Sequence, residues 1–132
     1  MTPGRPKRKG DKLKIGFFMD PIENINLETD TTFVIMLEAQ RRKHEIFYFT
    51  PPDVWVEDGK PKVSISSAKV RWPSSSRSTH YTLQPPKDTF LEKLDIVFNR
   101  VDPPYSIEYV TALQVLGLVP APSVVVNRPR GV

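Results

Sequence analysis

Apolar positions along the chain fall into short runs separated by proline-rich breaks, some with the pattern of a strand and others with that of a helix. Lys12 to Met19 is a nearly continuous apolar run, the pattern of a strand covered on both faces, and Asp20-Pro21 ends it. A polar loop, Glu23 to Thr29, leads into a helical segment from about Thr31 to Lys43, with Asp30 as its N-cap. Phe33, Met36, Leu37 and Gln40 follow the 3.6-residue spacing, and the first three predict the buried stripe. Arg41, Arg42 and Lys43 occupy the last turn, where the helix dipole favours cations, and read as a solvated helix end. Glu45 to Phe49 alternates into a second strand halted by Pro51-Pro52, so the order strand, helix, strand predicts a right-handed βαβ unit.

Val54-Trp55-Val56 and Val63-Ser64-Ile65 flank Asp58-Gly59, which predicts a hairpin. Arg71 to Pro86 carries no clear period, and Ser74-Ser75-Ser76-Arg77-Ser78 reads as an exposed loop. Leu94 to Phe98 gives a third core strand running into Asn99-Arg100. Beyond Asp102-Pro103-Pro104, Ser106 caps a second helix to about Leu116, its course marked by Ile107, Val110 and Leu113, with Gln114 and Gly117 near the end. Pro120 and Pro122 precede a last strand, Val124-Val125-Val126. The expected fold class is α/β: an open, mainly parallel sheet flanked by helices, with an inserted β-hairpin.

The 132 residues fit one domain, and 39% hydrophobic against 26% charged residues permits a modest core. Having no cysteine, the chain can build neither disulfides nor thiolate metal sites, and thiol catalysis is excluded. No stretch approaches the roughly 20 apolar residues of a membrane span. Ile15 to Met19 is too short for a signal-peptide core, so a cytoplasmic location is expected. The net charge of +4 is concentrated in Arg5, Lys7, Arg8, Lys9, Lys12 and Lys14, and the rest of the chain is close to neutral. Residues 1–11 therefore read as a flexible basic arm and 12–132 as the domain. Gly4-Arg5-Pro6 with its basic neighbours resembles an AT-hook core, but a solvated leader is the plainer reading and nucleic acid is not the expected partner.

The chemistry is narrowed by what is missing. No Gly-x-Gly-x-x-Gly follows the first strand, no Gly-Lys-Ser/Thr occurs, and no serine sits in a nucleophile elbow. His44 reads as a helix-end residue and His80 as a loop residue. What remains are polar residues placed directly after strands: Asp20 after the first, Arg100 and Asp102 after the third, Asn127 and Arg128 after the last. Ligands of open parallel sheets bind beyond the carboxyl ends of the strands. An arginine there suits bidentate capture of a carboxylate, and Asp20 suits a substrate ammonium or backbone N–H groups. The competing reading makes Asp20 and Asp102 Asx turns ahead of proline.

Met19-Asp20-Pro21-Ile22, Asp30-Thr31-Thr32-Phe33 and Met36-Leu37-Glu38-Ala39-Gln40-Arg41-Arg42 together resemble the start of the bacterial type of glutathione synthetase. Arg100 with Asp102-Pro103-Pro104-Tyr105, Glu108-Tyr109 and Val125-Val126-Asn127-Arg128-Pro129 recur in the same order, whereas Pro51 to Leu94 matches poorly. The resemblance implies the Rossmann-like domain that precedes an ATP-grasp portion. The family enzyme joins γ-glutamylcysteine to glycine with ATP and Mg2+ through an acyl phosphate, and forms multimers. It also implies that Arg100, Asp20, Pro21, Ile22, Asp102 and Asn127 form one wall of the peptide-substrate site. No catalytic, cofactor-binding or metal residue is expected on this chain. ATP and Mg2+ would belong to an ATP-grasp portion absent from the sequence, so the chain alone is expected to be inactive. A stand-alone binding module that keeps the fold without catalysis is the alternative. Two positions depart from the family pattern: Val101 stands where a basic residue is usual, and Lys43 where glycine is usual at the helix end.

Overall fold

A computed structural model describes residues 11–120 and 123–127; residues 1–10 of the basic arm and Arg128 lie outside the described residues. Among the described residues, eight strands and two α-helices follow one another as β1 (Lys14–Phe18), α1 (Thr31–Arg41), β2 (Glu45–Phe49), β3 (Val54–Glu57), β4 (Lys60–Val70), β5 (Tyr81–Leu83), β6 (Lys87–Phe90), β7 (Ile96–Asn99), α2 (Ile107–Leu116) and β8 (Val124–Asn127). The sheet runs β3-β4-β2-β1-β7-β8, and β5 and β6 both pair with β4. β1 is the centre of the parallel part: Ile15 pairs with Ile46 of β2 on one side and with Ile96 of β7 on the other. β8 continues the parallel order outward from β7, Ile96 pairing with Val124 and Asn99 with Asn127.

The sheet is mixed, which corrects the expectation of a mainly parallel one. β2, β1, β7 and β8 are parallel, but β3, β4, β5 and β6 join through antiparallel ladders. The inserted hairpin exists as β3 and β4, turning at Asp58 (φ 52°) and Gly59 (φ 77°), yet it is only half of the insertion. β4 continues for 11 residues and templates two further strands from the stretch that lacked a readable period. Its sequence hides this because the covered side changes along its length. Val63 and Ile65 are buried in the cluster beneath α2, whereas Ala68 and Val70 are buried in the cluster beneath α1. Odd residues point to one face and even residues to the other, so a straight strand passing from one core to the other loses a simple alternation.

α1 packs on one face of the sheet with Phe17, Ile46 and Phe33, and α2 on the other with Phe18, Phe49 and Val97. Aromatic rings fill both layers: Phe17 stacks on Phe98 at 5.3 Å, and Phe18 lies between Phe49 at 5.4 Å and Tyr109 at 5.7 Å. Gly16 leaves the room for this, since a Cβ there would sit 2.6 Å from Leu94 Cδ1 and 3.0 Å from Phe49 Cε1. The expected cap of α1 is present, Asp30 Oδ1 accepting from the Thr32 N–H at 2.8 Å; of the expected stripe Phe33 and Met36 are fully buried but Leu37 only half-buried, and the helix ends at Arg41, short of Lys43. Gln40 spans from α1 to the sheet, its amide donating to the Val70 carbonyl at 2.8 Å and accepting from the Val70 N–H at 2.9 Å. Arg41 and Arg42 both reach back to Glu38 at 2.6 Å in solvent, and these bonds, Arg41's first, hold the Glu38 carboxyl down to about 2. Lys43 has φ 69°, so the helix-end residue is left-handed. A non-glycine residue in that region costs about 1 kcal/mol.

α2 is capped by Ser106, whose Oγ accepts from the Tyr109 N–H at 3.0 Å. The apolar residues that mark its course in the sequence are not its buried ones. Tyr109, Ala112, Val115 and Leu116 face the sheet, while Ile107 (83% exposed), Val110 and Leu113 face solvent. Both sets have helical spacing, and the sheet-facing set contains the aromatic ring that fills the gap beside Phe18. No helix among the described residues is long and apolar enough to cross a membrane.

Candidate functional site

The two helical crossovers leave the centre of the parallel sheet in opposite directions. From β1 the chain passes over one face through α1 to β2, and from β7 it passes over the other face through α2 to β8. β1 and β7 are neighbours, so their carboxyl-terminal loops part at a topological switch point and leave a crevice between them. Asp20 and Arg100 are the residues that the sequence places at that point.

The structure joins the two loops. The Asp102 N–H donates to Asp20 Oδ2 at 2.8 Å, a contact between residues 82 apart in sequence. Asp20 therefore ties one Asp-Pro loop to the other instead of only turning its own chain. The Arg100 N–H donates to the Phe18 carbonyl at 2.7 Å, continuing the β1–β7 ladder one step past the strands. Strand alternation then sets where each successive side chain goes. Asn99 points beneath α2, where its Nδ2 donates to Tyr109 Oη at 3.0 Å. Arg100 points to the opposite face, toward the start of α1, and Val101 returns to the core beneath α2, 3% exposed. A side chain at position 101 thus lies on the far side of the sheet from Arg100, and the valine there removes no charge from the crevice in this conformation.

Arg100 is held by the first turn of α1. Its Nε donates to Thr32 Oγ1 at 3.0 Å, and its Nη2 donates to Thr31 Oγ1. These contacts fix the plane of the guanidinium at the mouth of a cavity of about 100 Å³ bordered by Asp20, Pro21, Asn24, Asp30 and Asp102. A second recess of about 270 Å³ continues from it past Asn26, Thr29 and Thr31. One arginine and three aspartates border the inner cavity, a mixed set suited to a zwitterionic ligand carrying both carboxylate and ammonium. A larger cavity, about 500 Å³, lies away from these loops between Phe47, Ile65, Leu94 and the 85–89 segment. Size alone would favour it, but it is remote from the loops that the switch point brings together.

Of the six residues expected at the site, Asp20, Pro21, Arg100 and Asp102 border one cavity. Ile22 is fully buried, and its backbone anchors the loop: its N–H donates to Tyr48 Oη at 3.2 Å, and its carbonyl is 2.8 Å from His80 Nε2. Burial, the larger influence, pushes the Tyr48 hydroxyl above its ordinary pKa, and the Ile22 N–H opposes that rise. Asn127 is paired with Asn99 at the same carboxyl edge of the sheet. Thr31, Thr32, Tyr48 and His80 were not singled out from the sequence. The threonines had a signal, since the residues after an N-cap point toward whatever lies beyond the helix start. His80 had none, because it comes from the insertion. His44 is a helix-end residue whose Nδ1 accepts from the Leu13 N–H at 3.0 Å.

The sequence profile described as "Prokaryotic glutathione synthetase, N-terminal domain" matches residues 13–132. Among curated relatives, the glutathione synthetase of Mesorhizobium japonicum is 37% identical over 121 residues, which cover 92% of this chain and 38% of that protein. That of Rhodopseudomonas palustris is 38% identical over 120 residues, covering 91% and 37%. The glutathione synthetase of Buchnera aphidicola subsp. Schizaphis graminum is 34% identical over 124 residues, covering 93% and 38%. The chain therefore spans well under half the length of these relatives. A match over residues 13–132, with relatives 34–38% identical over most of the chain, shows that the chain belongs to the prokaryotic glutathione synthetase N-terminal domain family.

Proposed function

We propose that this domain is one wall of the peptide-substrate site of a glutathione synthetase, a ligase that joins γ-glutamylcysteine to glycine with ATP through an acyl phosphate. The observation that carries this reading is the clasp between the Asp20 and Asp102 loops, with Arg100 fixed beside it by Thr31 and Thr32. In the proposed arrangement Arg100 takes a carboxylate of the dipeptide. Asp20, Asp102 and Pro21 shape the facing loop, Ile22 anchors it from the core, and Asn127 lies along the same edge.

ATP and Mg2+ fall to the rest of the enzyme on this reading. Among the described residues no group of three or more His, Cys, Asp or Glu side chains is disposed to hold a metal ion, and Asp20 is committed to the Asp102 N–H. The protein works in the cytoplasm on this account, as part of a homo-oligomer whose other portion holds the reacting phosphate. The test is a coupled ADP-release assay on a chimera in which the remainder of the Mesorhizobium japonicum protein follows this chain. ADP release that requires both γ-glutamylcysteine and glycine is the expected result, with none from the 132-residue chain alone. Turnover by the chain alone would contradict both this reading and a non-catalytic binding module, whereas a folded chimera indifferent to the dipeptide would favour the alternative of a stand-alone binding module.

A further inference from the structure

We propose that His80 is a positioning residue of the peptide-substrate site: reaching from the insertion, it holds the Ile22 carbonyl and so fixes the Asp20-Pro21 loop opposite Arg100. The role rests on the substrate-site reading above and adds to it a residue that does not border the cavity. Past Met19 the chain leaves the sheet, so the peptide groups of the loop need partners other than a strand. At Ile22 two side chains supply them. The Ile22 N–H donates to Tyr48 Oη of β2 at 3.2 Å, and the Ile22 carbonyl lies 2.8 Å from His80 Nε2, much closer than the Ile25 N–H that also reaches it at 3.4 Å. Facing a carbonyl, that ring nitrogen carries the proton and donates. Pro21 stands between this anchored peptide and Asp20, with φ −49°, an angle its ring leaves little freedom to change. A displacement at Ile22 is therefore passed to Asp20, whose Oδ2 holds the Asp102 N–H of the facing loop.

His80 is itself held in place. Its carbonyl accepts from the Arg71 N–H at 2.9 Å, and Arg71 Nη2 donates to Thr79 Oγ1 and to the Tyr81 carbonyl, each at 3.2 Å, closing the base of the 71–81 excursion. The imidazole meets Phe33 edge-on at 5.9 Å and Tyr81 at 4.8 Å between ring centroids, which limits its rotation. Phe33 adjoins Thr32 in α1, and Thr32 Oγ1 accepts from Arg100 Nε. One ring thus packs on the helix that holds Arg100 and bonds the loop that carries Asp20. Filling space against Phe33 would need only the ring, whereas setting the place of the loop needs the donor.

The experiment compares His80→Phe, which keeps a ring and loses the donor, with His80→Gln, which keeps a donor. In the 132-residue chain, exchange of the Asp102 amide is expected to quicken roughly threefold or more in His80→Phe while the Tyr109 amide at the α2 cap keeps its rate, as local loosening of one loop requires. In the chimera with the Mesorhizobium japonicum remainder, His80→Phe is expected to raise the KM for γ-glutamylcysteine roughly 3- to 10-fold, as loss of one neutral hydrogen bond does, with the KM for ATP unchanged. His80→Gln is expected to recover most of that rise. Unchanged Asp102 exchange, or Asp102 and Tyr109 quickening together, would overturn the proposal, as would an equal dipeptide KM in His80→Phe and parent. A failed site reading shows itself separately, as a parent chimera indifferent to the dipeptide, whereas the exchange measurement needs no turnover.

Discussion

α1 and α2 have similar lengths and similar N-caps, yet one follows its apolar pattern and the other turns it outward. In α1 Phe33 and Met36 face the sheet as their spacing predicts, with Ile35 and Leu37 half-buried and Val34 exposed. In α2 the apolar residues divide into two sets. Ile107, Val110 and Leu113 form a regular stripe in solvent, while Tyr109, Ala112, Val115 and Leu116 are buried. Periodicity shows that a helix has a face; which face is buried depends on the shape of the cavity it must fill. On the α2 side that cavity is set by Phe18 and Phe49, and it takes the flat ring of Tyr109 beside the small Ala112.

Substitutions on the two faces of α2 break this comparison most sharply. Leu116→Ala should lower stability by about 2–5 kcal/mol, as large-to-small changes in a closed core do. Urea unfolding of the 132-residue chain would show it as a lowered midpoint with an unchanged slope. Tyr109→Phe keeps the ring and removes the oxygen that accepts from Asn99, and should cost about 1 kcal/mol in the same assay. At the end of α1 the sign reverses: Lys43→Gly relieves a left-handed residue and should stabilise by about 0.5–1 kcal/mol, net of the entropy glycine adds to the unfolded chain. Ile107→Ser on the outer stripe should stay within about 0.5 kcal/mol of the parent. A cost for Ile107→Ser comparable to that of Leu116→Ala would mean that the assigned burial of α2 is reversed.

The parallel strands and both helix caps were legible because each rests on local chemistry: an apolar run ended by Asp-Pro, or an Asp or Ser ahead of a helical period. The insertion was not. β5 and β6 are short and contain no buried residue, and they exist as strands because the 11-residue β4 offers them an edge, which no property of residues 71–90 announces. The site divides in the same way. Position after a strand marked Asp20, Arg100 and Asp102, but not the contact that joins two of them or the threonines that hold the third. His80, drawn from the insertion to the Ile22 carbonyl, could be found only by folding the chain. Val101, next to Arg100 in sequence, is carried by alternation to the other face, beneath α2.

The central claim is that Arg100 is a substrate-binding residue on the wall of a peptide site and takes no part in holding nucleotide. Its most direct test is the steady-state kinetics of Arg100→Ala in the completed chimera, with γ-glutamylcysteine and ATP varied separately. Loss of one charge-assisted contact, about 1.5–3 kcal/mol, predicts a KM for the dipeptide raised roughly 10- to 150-fold with the KM for ATP unchanged. An unchanged KM for the dipeptide, or an equal rise for ATP, would contradict it.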